Sequence, residues 1–296
     1  MKSKKLIVFL IMILLISGCR SNGNKKQEIK TLDKAPDSLT DIDKGISAIL
    51  EKVGRIERIN LDIDQEDAGK KDQSDENMGS ESKEVEAEEN VIENQDDGNK
   101  EDEHGGKSNG SGDDKKPPKE EKDEQIRKVW KEINGDLDRV YSKLSDYEAE
   151  GLKKGASKDS LTKLQKAVNQ LAKSIEVQDI LSIYNYGSQS LSNLKPLYNL
   201  YKDDYRGEVC DIKSSVYQYY IKAIVKDIVG ARTQIQSKED SINKIRQLIG
   251  DDKEKNKELD RVKISLENLG ISLEEGSKRV LILEKDTLIN SLKALE

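Results

Sequence analysis

Apolar residues along this chain follow a helical period in two stretches, with a long stretch between them that has no period. From Leu39 they recur at Leu39, Ile42, Ile46, Ile49, Val53 and Ile56, alternately three and four apart. That is the heptad stripe of an amphipathic helix, and Asp37 or Ser38 offers a side chain to cap its start. The pattern predicts one helix over 37–61, weakened by Gly45 and Gly54. A stripe of this kind does not stay exposed on a lone helix. It packs on a later part of the chain, pairs with another copy or a partner helix, or forms only part of the time.

The period returns at about residue 120. Ile126, Val129, Ile133, Leu137, Val140, Leu144 and Tyr147 share one stripe, which ends at "GLKKGAS". Ser157 or Asp159 opens the next helix, with Leu161, Leu164, Val168, Leu171 and Ile175 inward. A third, "DILSIYNYGSQSLSNL", runs up to Pro196, which either kinks the chain or begins a turn. The stretch from Gly207 to Gln236 reads as one long helix, apolar along Val209, Ile212, Val216, Tyr220, Ile224 and Ile228. "DSINKIRQLIG" and "KELDRVKISLENLG" form one helix or two, and the last helix contains "RVLIL", the one fragment with a strand-like look. The expected fold class is therefore all-α, an antiparallel bundle of about five to seven helices over 120–296. That length suffices for a single core.

Charge separates the two periodic stretches. Asp62 to Lys116 carries 20 acidic and 7 basic residues, a net of −13 in a chain whose total is −7. Residues 62–119 are too poor in apolar side chains to offset the entropy of ordering, so they are expected to be a disordered acidic linker and spacer. Two fragments in and beside it imitate ligand loops. "GGKS" has Glu101 where a phosphate loop needs its first glycine, and "LDIDQED" has no glycine at the sixth position of a calcium loop. Neither implies a metal or cofactor. The only histidine, His104, also lies there. The helical stretches thus lack the side chain that most often performs acid–base chemistry near neutral pH, which argues against an enzyme.

The N-terminus is patterned differently again. Lys2, Lys4 and Lys5 precede an apolar run from Leu6 to Ile16, followed by Ser17, Gly18 and Cys19. Eleven apolar residues make about 17 Å of helix, short of a ~30 Å hydrocarbon core. The order of basic start, short apolar run and small residues is that of an export signal, and "ISGC" resembles a bacterial lipobox. The resemblance implies cleavage before Cys19 and acylation of its thiol. Residues 1–18 are then the signal, 19–36 a flexible tether, and membrane attachment is through the acyl groups on Cys19. Loss of three lysines takes the net charge to −10, and everything outside the acidic segment sums to +3. No clustered basic face suggests nucleic acid. Cys210 is left without a disulfide partner and reads as a small buried side chain.

All ten tyrosines lie between Tyr141 and Tyr220, eight of them from Tyr184 onward. Tyrosine at helical spacing packs in a core, with its hydroxyl reaching the rim. Tyrosine is also enriched in binding surfaces. Tyr219 and Tyr220 are adjacent and do not both point squarely inward on a helix with one buried face. Tyr201, Tyr205, Arg206 and Tyr219 are the candidates for an exposed binding set. Trp130, one residue off its stripe, reads as a flanking core contact.

The signal "LIVFLIMILLISGC", the Lys/Asn/Glu-rich and Phe-poor composition, the charged segment and the terminal helical domain together resemble the plasmid-encoded surface lipoproteins of Borrelia. That resemblance implies an outer-membrane lipoprotein displayed at the cell surface, binding a host serum or matrix protein in adhesion or immune evasion. It selects no subfamily and carries over no binding residue. The alternative is a periplasmic structural or assembly lipoprotein that oligomerises through residues 37–61.

Overall fold

The computed structural model describes residues 34–61, 118–202 and 204–296. The expected export signal, Cys19 and most of the expected tether and acidic linker lie outside the described residues. Nine helices occur among the described residues: α1 Asp37–Asn60, α2 Pro118–Lys154, α3 Lys158–Glu176, α4 Ile180–Tyr198, α5 Arg206–Ile224, α6 Ile228–Gln236, α7 Glu239–Ile249, α8 Lys253–Ser272 and α9 Lys278–Lys293. The fold is an all-α bundle. Eight helices follow residue 117, one more than the expected range. "RVLIL" lies within α9, where Leu281 and Ile282 face the core.

Local chemistry sets the breaks. Ser157, not Asp159, caps α3, accepting from the Ser160 amide at 3.0 Å. Gly250 (φ 61°) ends α7, and Asp252 then caps α8, so that stretch is two helices. The stretch read as one helix from Gly207 to Gln236 breaks at Val225–Asp227, where Lys226 takes a left-handed backbone (φ 63°). No glycine or proline marks the spot. The Asp227 carboxylate fixes it by accepting from the Gly230 amide at 2.9 Å. Pro196 falls in the last turn of α4.

The heptad helix is part of the core. Leu39, Ile42, Ile46, Ile49 and Val53 are fully buried, and α1 packs chiefly on α2, then on α4 and α9. Its two glycines have a purpose there. A Cβ at Gly45 would stand 2.5 Å from Val140 Cγ2, so glycine is what lets α1 and α2 approach. α5 is the other central element, contacted by α4, α6, α7 and α9. It is therefore buried nearly all round, and Tyr219 and Tyr220 are both fully buried on opposite flanks.

Two polar nodes lie inside this core. Near the start of α1, Asp43 faces the Lys213 ammonium (3.6 Å), and Cys210 and Tyr198 donate to Asp43 at 3.3 and 3.4 Å. Lys213 also pairs with Glu296 at 2.6 Å. Burial works against the Lys213 charge, but Asp43 and Glu296 outweigh it and hold its pKa above the usual lysine value. Near the end of α1, Glu57 accepts from the Tyr184 and Tyr220 hydroxyls at 2.8 and 2.7 Å. Beside it the buried Lys285 ammonium sits 4.9 Å from the Tyr184 and Tyr220 ring centres and 5.9 Å from that of Tyr217. It is a cation enclosed by three aromatic faces and paired with Asp286 at 3.0 Å.

The end of α1 and the start of α2 lie together. Lys122, in the first turns of α2, donates to the Asn60 carbonyl at the end of α1 (3.3 Å). Both ends of the 62–117 segment therefore sit at one end of the bundle.

Candidate interaction surface

Helix directions give the bundle two poles, separated by the length of α1, about 36 Å at 1.5 Å per residue. The entry pole holds the start of α1, the ends of α2, α4 and α9 and the starts of α5 and α8. Ser38 donates to Glu150 there, Arg206 to the Thr40 hydroxyl and Tyr205 to the Leu295 carbonyl. The far pole holds the ends of α1, α5 and α8 and the starts of α2, α4, α6 and α9. It is tied by the Glu57 node, by Lys278–Glu57 (3.4 Å) and by Tyr219 donating to the Leu269 carbonyl (2.6 Å).

Exposed apolar side chains concentrate at the far pole. Eight large ones are exposed among the described residues, and six of them are Leu61, Val177, Val225, Ile228, Val229 and Ile271. Val229 and Val177 are the most open, at 79% and 73%. Scattered surface leucines and valines mean little, but a cluster at one end of a molecule marks a contact surface.

Two of the connections there are copies of one another. Val177-Gln178-Asp179-Ile180 joins α3 to α4, and Val225-Lys226-Asp227-Ile228 joins α5 to α6. In each, the valine ends a helix and the next residue is left-handed (Gln178 φ 54°, Lys226 φ 63°). The aspartate then caps the following helix, Asp179 accepting from the Ser182 amide and Asp227 from Gly230. A left-handed Gln or Lys is strained where glycine is the common choice. Because α4 and α5 pack antiparallel, the two turns are neighbours. Beside the second lies a cavity of about 330 Å³ between α5, α6 and the α8–α9 turn, lined by Ile224, Ile228, Leu273 and Leu281 with Lys226 and Lys278 at its rim. Exposed valines beside an apolar cavity suit a protein partner that offers apolar side chains of its own.

The residues singled out from the sequence do not form one exposed set. Tyr219 is fully buried and Tyr201 is 4% exposed, which corrects the expectation that both face solvent. The reason is the second layer, α6 to α8, which covers the side of α5 that a single-stripe reading leaves open. Tyr201 instead lies beside Tyr147, with neither hydroxyl reaching hydrogen-bond geometry. Burial raises the Tyr147 and Tyr201 pKa values. Tyr205 and Arg206 are half-buried neighbours at the entry pole, remote from the exposed valines. Trp130 and Cys210 are buried, and Cys210 has its thiol pKa raised by burial. Cys19 lies outside the described residues. The signal that marks the far pole was the repeated Val-x-Asp-Ile, legible once both copies are seen to end helices.

Among the described residues no group of three or more His, Cys, Asp or Glu side chains is placed to hold a metal, and no helix is long and apolar enough to cross a membrane. No protein-family model, no curated protein and no solved structure matches this chain.

Proposed function

We propose that this chain is a lipid-anchored surface lipoprotein that presents its helical bundle to a host protein, in adhesion or immune evasion, without catalysis. The observation that supports it is polar opposition. The chain enters the bundle at one pole, and the exposed apolar cluster lies at the other. Fourteen residues lie between Cys19 and Lys34, a reach of at most about 50 Å. An acylated Cys19 would hold the entry pole towards the outer membrane and turn the valines outward. The apolar stripe of 37–61, which a helix-pairing assembly role would use, is already covered by α2, α4 and α9, so that role needs the bundle to open.

Protease treatment of intact cells tests display. A bundle digested without opening the envelope fits the proposal, and one that survives until the envelope is opened faces the periplasm and contradicts it. Labelling with a radioactive or clickable palmitate tests the anchor, which requires incorporation that Cys19→Ala abolishes.

A further inference from the structure

The entry pole carries a feature that the tyrosine network and the far-pole surface leave unused. A cavity of about 280 Å³ opens between the residues before α1, the α4–α5 turn and the start of α8, and four cations line it: Lys34, Lys202, Arg206 and Lys255. Among the described residues two carboxylates share the lining, and each already holds a cation. Asp204 is clamped by Arg206, whose Nε lies 2.9 and 3.1 Å from its two oxygens. Glu296 turns inward to Lys213. Lys255 donates to the Tyr205 hydroxyl at 2.7 Å and lies over its ring, and among the described residues neither Lys255 nor Lys34 forms an ion pair. The Tyr205 hydroxyl accepts from Lys255 while donating to the Leu295 carbonyl, so the lysine is held in place by a neutral group.

We infer that this cavity is an anion site that takes a phosphate group, and that the phosphate belongs to an anionic lipid headgroup. Lys255 and Lys34 supply N–H donors that no carboxylate among the described residues engages, and Arg206, paired with Asp204, leaves the lining's excess charge to the lysines. The choice of a lipid source rests on the anchor reading above, because the fourteen residues between Cys19 and Lys34 would keep this pole within reach of the bilayer. The pocket itself does not depend on the anchor. Engagement would seat the entry pole on the membrane and fix the far pole outward.

The test uses the unacylated chain 20–296, which contains every residue of the described core, with vesicles of pure phosphatidylglycerol or pure phosphatidylcholine. The expected result is co-sedimentation with the first and not the second. Lys34→Gln/Lys255→Gln should weaken it by roughly 30-fold, the loss expected for two surface cations at an anionic bilayer. Lys153→Gln/Lys154→Gln, exposed at the same pole but outside the cavity, should change it less than twofold. No binding to phosphatidylglycerol, or equal loss in both double variants, overturns the inference. Inorganic phosphate is the second probe. If it shifts the Lys255 and Tyr205 amide resonances while vesicles do not bind, the site takes free phosphate and the lipid assignment fails. A chain that is acylated at Cys19 yet ignores phosphatidylglycerol refutes this site and leaves the anchor standing.

Discussion

The two poles of the bundle are alike inside and different outside. Each has a buried lysine in a polar node, Lys213 with Asp43 and Glu296 at the entry pole and Lys285 with Asp286 and the rings of Tyr184, Tyr217 and Tyr220 at the far pole. Above the first node lie ion pairs and the cationic cavity. Above the second lie open valines and isoleucines. A frayed or badly packed end would explain exposed apolar residues without any partner, but the far pole is wired as firmly as the other. Its apolar exterior is therefore a property of the surface and not a symptom of a weak core.

The largest expected effects test that internal equivalence. Lys213→Met leaves the Asp43 and Glu296 carboxylates without their cation, and Lys285→Met leaves three tyrosine faces and Asp286 without theirs. Removing one partner of a buried pair costs about 3–5 kcal/mol, and urea unfolding should show both variants in that range. A loss at Lys285 several-fold smaller than at Lys213 would mean the far pole is loosely held after all. Single hydroxyls come next. Tyr184→Phe removes a hydrogen bond to the buried Glu57, worth about 1.5–3 kcal/mol. Tyr201→Phe removes a hydroxyl that bonds nothing, and should leave stability unchanged or raise it by up to about 1 kcal/mol.

Smaller changes address the repeated turns. Gln178→Gly and Lys226→Gly relieve a left-handed side chain and should each stabilise by about 1 kcal/mol, read as a higher urea midpoint. A loss of stability in both would show that the side chains, not only the backbone, hold the far pole together. The smallest effect is confined to acid. Burial raises the Glu208 pKa, but Lys195, Lys244 and Ser241 outweigh it and hold the carboxyl below its usual range. A group with a depressed folded pKa adds stability above its unfolded value of about 4.3 and loses it as pH falls through the folded one. Glu208→Gln should therefore flatten the decline of thermal stability below about pH 4.3. An unchanged acid limb would remove Glu208 from the account.

How much of this was legible in the sequence differs by element. The stripe from Leu39 to Ile56 gave α1 to within a residue, although the expected cap is absent: Pro36 stands at the N-cap with no side-chain bond, and Asp37 and Ser38 lie within the first turn. Its destination was not legible, since a stripe shows that a face is buried but not against what. Asp43, Glu57, Lys213 and Lys285 look like solvent-facing charges, and only the meeting of α1, α4, α5 and α9 gives each its buried partners. The Lys226 break was invisible because a left-handed residue is expected to be Gly or Asn. The binding candidates failed for a related reason. Tyr219 is inward because α5 is covered on two sides, which no single-helix pattern reveals.

The central claim is that the far pole meets a partner and the entry pole does not. The direct measurement is capture of serum and matrix proteins by the bundle and by two double variants, Val225→Asp/Val229→Asp and Lys34→Gln/Lys255→Gln. Surface changes of this kind alter stability by only about 0.5 kcal/mol, so binding can be read cleanly. A protein retained by the parent and by the lysine variant, and lost by the aspartate variant, is the predicted result. Equal retention by all three, or loss confined to the lysine variant, would contradict it.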